Sequence, residues 1–74
     1  MKPPNAHIVT QIVNAARPVF AGHNPGNQGA ALADLVAMWL AGYPPDLREP
    51  LLELHIEMVR RLIPVNARAM GTGE

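Results

Sequence analysis

The 74-residue sequence contains no cysteine and no serine, and these absences exclude several kinds of chemistry. Without thiols, the chain can form neither a disulfide nor a thiolate metal site. Threonine occurs only at Thr10 and Thr72, so a nucleophilic Ser or Cys constellation cannot be assembled. The sequence therefore predicts a protein that is not an enzyme and that carries no cofactor.

A net charge is also missing, because six Lys and Arg residues balance six Asp and Glu residues. Nucleic-acid binding needs a basic patch, and a polybasic membrane anchor needs clustered cations. No apolar run reaches the ~20 residues that span a bilayer, and the first residues lack the apolar core of a secretory signal. We expect a soluble cytoplasmic protein with no nucleic-acid or membrane partner.

What the sequence does contain is helical periodicity, interrupted by glycine and proline. It predicts an all-α, three-helix protomer with helices at about residues 6–21, 25–41 and 46–63. Short Gly/Pro-rich connections favour antiparallel neighbouring helices. Residues 1–64 are expected to form a single small domain, and residues 65–74 a flexible C-terminal tail.

Capping signals mark where the helices begin. Asn5 is the expected N-cap of the first helix. Asn24 before Pro25 fits an N-cap and a first helical residue, although a β-turn centred on Pro25 and Gly26 fits equally well.

The third helix shows a different signal at its start. Asp46 and Glu49 match the spacing of a capping box. Because Pro50 lacks a backbone donor, the first turn is expected to be irregular. Pro64 is compatible with a helix end at Ile63.

The third helix is apolar around more of its circumference than one core requires. At about 100° per residue, its apolar side chains cover an arc of roughly 200°, whereas a stripe of about 100° faces a single core. These side chains are Leu51, Leu52, Leu54, Ile56, Met58, Val59, Leu62 and Ile63. The second helix is also apolar nearly all round, with Asp34 as its only charge. Because chains this short usually need additional support, the surplus predicts a homo-oligomer, with a dimer favoured.

His55 lies near the middle of that apolar arc. An imidazole there could be a metal ligand, a pH-sensitive contact, a general base, or a packed histidine with a hydrogen-bond partner. One histidine carries no metal-ligand spacing. His7 and His23 lie at opposite ends of the first helix, ~20 Å apart, so a three-histidine site within one subunit is geometrically poor.

Other candidate residues lie on the second and third helices and in the connection between them. Trp39 and Tyr43, four residues apart, could form a ligand platform, an interface anchor or part of a core. A row of alanines could be a close seam between helices or an exposed side that favours helix formation. The row comprises Ala30, Ala33, Ala37 and Ala41, and Ile56 and Ile63 complete the candidate interface residues.

Two functional hypotheses follow. The first is a non-catalytic interaction protein that self-associates through apolar helix faces and presents a surface to a larger protein partner. The second is a small-molecule- or metal-binding helical module centred on His55 with Trp39 and Tyr43. A helix-turn-helix DNA binder is disfavoured, because Asp46 and Glu49 would meet the DNA phosphates at the leading end of the reading helix.

Overall fold

The computed structural model describes residues 2–72, and these residues contain three α-helices and no β-strand. The helices are α1 (Ala6–Phe20), α2 (Pro25–Ala41) and α3 (Pro45–Met70). The all-α, three-helix prediction is confirmed, and the bounds of α1 and α2 agree with the sequence to within one residue. The antiparallel arrangement of neighbouring helices stays a prediction.

Asparagine side chains cap the N-terminal ends of the first two helices. The Oδ1 atom of Asn5 accepts hydrogen bonds from the backbone N–H groups of His7 at 3.0 Å and Ile8 at 3.2 Å. At α2, Oδ1 of Asn24 accepts from Gly26 N–H at 2.7 Å. Asn24 is therefore the N-cap of α2, as the first of the two interpretations predicts. Both asparagines accept hydrogen bonds from backbone N–H groups that have no partner within the helix.

The beginning of α3 differs from the prediction. The prediction that Asp46 and Glu49 form a capping box is wrong, because the N-cap residue is Pro44 and no side chain caps the helix. The irregular turn is wrong as well, since residues 46–49 are α-helical. Pro45 occupies the first turn, where its fixed φ suits the helix and its missing N–H would be unpaired anyway.

The end of α3 also differs, because the helix continues through Pro64 to Met70. The predicted end at Ile63 is wrong, and so is the tail up to Met70. Pro64 has no backbone N–H to donate to the carbonyl of Arg60. By helical spacing this carbonyl lies on the polar side of α3, where a water molecule can donate the hydrogen bond instead. Residues 73–74 of the predicted tail lie outside the described residues.

Gly71 is the residue that ends α3. Its φ of 74° lies in the left-handed region, which glycine adopts without steric cost. The N–H of Gly71 donates to the carbonyl of Arg68 at 3.3 Å, and the N–H of Thr72 donates to the carbonyl of Ala67 at 2.9 Å. This pair of bonds is a Schellman motif, which satisfies carbonyls left free at a helix end.

The chain groups into two compact units that divide between Ala33 and Asp34. In the first unit, Nε2 of Gln28 donates to the carbonyl of Phe20 at 2.7 Å, which connects α2 to the end of α1. Val13, Phe20 and Leu32 help to line an open, mostly apolar groove in this unit. The second unit contains Leu40, which is 8% exposed and is the one buried residue in the described part of the chain.

Candidate functional site

Three side chains singled out by the sequence meet in the second unit. The rings of Trp39 and Tyr43 are 5.8 Å apart between centroids in an edge-to-face arrangement. The Trp39 ring also lies 5.2 Å from the His55 ring, with a tilt of 50° between their planes. Tyr43 and His55 are half-buried, whereas Trp39 remains 41% exposed. We call these three residues the aromatic cluster.

Arg48 organises the connection that positions the aromatic cluster. Its Nε atom donates to the carbonyl of Tyr43 at 3.0 Å, and its Nη2 atom donates to the carbonyl of Ala41 at 3.2 Å. The guanidinium therefore caps the C-terminal end of α2 with charge-assisted hydrogen bonds. Sequence reasoning missed this role, although a cation shortly after a helix end is a recognisable signal.

The chemistry available to the aromatic cluster is limited. It offers two π faces and one imidazole, and a single imidazole does not constitute a metal site. Within residues 2–72, no group of three His, Asp or Glu side chains is placed to hold a metal ion. The cluster is suited to ring packing and to anchoring a contact through the exposed part of Trp39.

The alanine row is uncovered within the described chain. All four of its residues are exposed, and they follow one another along α2. A close seam between this row and another helix stays a prediction. The row comprises Ala30, Ala33, Ala37 and Ala41.

Much of the apolar arc of α3 is likewise exposed. Ile63 is 60% exposed and Ile56 is 37% exposed. The other large apolar side chains of α3 that are exposed are Leu47, Leu54, Met58, Val59, Leu62, Val65 and Met70. A groove in the C-terminal half of this surface is formed by α3 and Thr72 alone, and its lining includes Val59, Ile63, Asn66 and Met70.

The charges of α3 are separated along its length. The first half carries four carboxylates and one guanidinium, at Asp46, Arg48, Glu49, Glu53 and Glu57. The second half carries only guanidinium groups, at Arg60, Arg61 and Arg68. The helix thus combines an exposed apolar side with an acidic beginning and a basic end.

Two further observations concern membrane insertion and similarity to known proteins. In the part of the chain that the structure describes, no helix combines the length and the apolarity needed to cross a bilayer. A comparison with known protein families, with curated proteins and with solved structures found no match.

Proposed function

We propose that this chain is a non-catalytic helical interaction protein that self-associates through the apolar side of α3. The observation that carries the proposal is the contrast within the described residues between one buried side chain, Leu40, and the many exposed apolar side chains of α3. Contiguous exposed apolar surface is typical of an interaction site. A chain of this size gains the core that it lacks by burying such surface against another molecule.

The dimensions of α3 are sufficient for this role. A 26-residue helix is about 39 Å long at 1.5 Å per residue. A standard interface buries about 800 Å² on each partner, and each Å² of apolar surface removed from water contributes about 25 cal/mol. One long helix with a wide apolar arc can supply most of such an interface.

The aromatic cluster supports a second candidate, a ligand-binding module centred on His55. Ligand sites are concave, mostly apolar and contain a few convergent polar groups. In the structure Trp39 contacts both other rings, so a ligand would have to stack on its exposed part or separate it from its neighbours. Ring packing explains the same contacts without a ligand, and we therefore favour self-association.

Light scattering on a size-exclusion column tests the proposal directly. Over a hundredfold dilution series we expect a mass of twice the 8.0 kDa of one chain, decreasing toward the single-chain mass at the lowest concentrations. The same series with EDTA should give the same masses. A folded monomer at every concentration would contradict self-association, and an assembly lost on chelation would favour the metal-binding alternative.

A further inference from the structure

We infer that a second copy of this chain binds α3 in antiparallel orientation, with the acidic half of each α3 beside the basic half of the other. The inference rests on the proposed self-association and specifies its geometry. It starts from a row of residues spaced alternately four and three apart, which is the spacing of a coiled-coil seam. We call this row the α3 stripe, and it comprises Leu52, Ile56, Val59, Ile63, Asn66 and Met70.

The α3 stripe overlaps the groove in the C-terminal half of α3. Val59, Ile63, Asn66 and Met70 belong to both. These four residues are exposed, whereas Leu52 is half-buried. The C-terminal part of the stripe is therefore available to another molecule.

Four stripe residues, Leu52, Ile56, Val59 and Ile63, are spaced symmetrically about the point between Glu57 and Met58. In an antiparallel pair centred there, Ile56 faces Val59 of the second copy and Leu52 faces its Ile63. The same point is the midpoint of Pro45–Met70, so this register overlaps the two helices along their whole length. An isologous two-fold interface requires this self-complementarity.

The charges favour the same orientation. A parallel pair would place carboxylates beside carboxylates and guanidinium groups beside guanidinium groups, whereas an antiparallel pair places opposite charges together. The helix dipole accounts for charges in the first and last turns only. It does not account for Glu57, Arg60 and Arg61, which lie in the middle of α3.

One pair of charges lies beside the seam. Glu53 and Arg60 each follow directly after a stripe residue, so they lie on the same edge of the stripe. In the antiparallel register Glu53 lies within two residues, about 3 Å along the axis, of the position facing Arg60 of the second copy. The two-fold axis repeats the pair, which gives two reciprocal ion pairs.

A polar layer sets the register. Glu49 lies three residues before Leu52 and so continues the spacing of the stripe toward the N-terminus. In the antiparallel register Asn66 faces Glu49 of the second copy. Nδ2 of Asn66 donates to the carbonyl of Leu62 at 3.0 Å, and an amide has two donor hydrogens. The second hydrogen remains for the Glu49 carboxylate, and one polar pair in an apolar seam is a recognised device for fixing register.

Cysteine cross-linking distinguishes the two orientations, because the native chain contains no cysteine. The Glu49→Cys and Asn66→Cys variants replace exposed residues and are oxidised separately and after mixing. We expect a disulfide-linked dimer only in the mixture, identified by its mass as one chain of each variant. In the antiparallel register the two copies of residue 66 are about 25 Å apart, far beyond the ~7 Å that a disulfide can bridge between Cα atoms.

The Arg61→Cys variant is the matched control, because Arg61 is also exposed but lies away from the stripe. It should form no cross-link with the Glu49→Cys variant. A cross-link formed by the Asn66→Cys variant alone would show a parallel pair and overturn the inference while leaving self-association intact. No cross-link in a chain that light scattering shows to be dimeric would place the interface elsewhere, and a monomeric native chain would overturn the proposed function itself.

Charge reversal provides an independent measurement. Arg60→Glu sets two carboxylates against each other at both symmetric positions, so we expect the dimer Kd to rise about tenfold. Combining Glu53→Arg with Arg60→Glu restores both pairs, and should return the Kd to within about threefold of the native value. The Arg61→Glu control, which lies away from the stripe, should leave the Kd nearly unchanged. A double variant as weak as the single one would contradict the pairing of these two residues.

Discussion

The Ile63→Asp variant is expected to be a monomer at concentrations where the native chain is a dimer, with its Kd raised at least about a hundredfold. Ile63 lies in the α3 stripe, and the proposed dimer buries it against Leu52 of the second copy. An aspartate there would lose its hydration without gaining a partner, at a cost of several kcal/mol in each half of the interface. In the single chain Ile63 is 60% exposed, so the fold of the protomer should be retained.

Leu54→Asp is the control for this variant. Leu54 is 61% exposed, and nine residues along an α-helix place it about 180° around the axis from Ile63. The two substitutions therefore introduce the same charge at equal exposure on opposite sides of one helix. Sedimentation equilibrium measures the Kd values, and far-UV circular dichroism checks helix content. If both variants raised the dimer Kd equally, the α3 stripe would not be the interface.

The Leu40→Ala variant is expected to lose about 2–4 kcal/mol of unfolding free energy. Leu40 is the one buried residue in the described chain, at 8% exposure, and small proteins are stable by only a few kcal/mol. Its truncation removes apolar contacts and leaves a cavity that the surrounding helices fill only in part. We therefore expect a largely unfolded chain at moderate urea concentrations, where the native chain remains folded.

Urea unfolding followed by the fluorescence of the single tryptophan, Trp39, measures this loss. The protein concentration must be held constant, because association stabilises the folded chain by mass action. Leu35→Ala is the control, because Leu35 belongs to the same helix and is 53% exposed. The control should lose less than about 1 kcal/mol. Equal losses for the two variants would show that Leu40 does not form the core of its unit.

The agreement between sequence and structure is best where the determining interactions are local. The N-caps Asn5 and Asn24 act on backbone groups two or three residues away, so a short window of sequence contains the whole interaction. The contact between Trp39 and Tyr43 is also local, since the two residues are four apart, although Tyr43 lies in the connection after α2.

The predicted bounds of α3 are wrong at both ends, because the effect of a proline on a helix depends on its surroundings. Pro64 disfavours a helix but does not forbid one, and its cost is small where the freed carbonyl can reach water. Gly71 was the stronger end signal, because its left-handed conformation closes the Schellman motif. Asp46 was unnecessary as a cap, because Pro44 and Pro45 begin the helix through backbone geometry.

The sequence alone determined the helical class, the first two helices and the surplus apolar arc of α3, since all three depend on periodicity and local hydrogen bonds. Only the tertiary structure decided that His55 packs on Trp39, that Arg48 caps the end of α2, and that the groove on α3 stays open. These features depend on how the chain returns after Gly42. The direction taken by a connection is a balance of contacts distant in sequence, which periodicity does not encode.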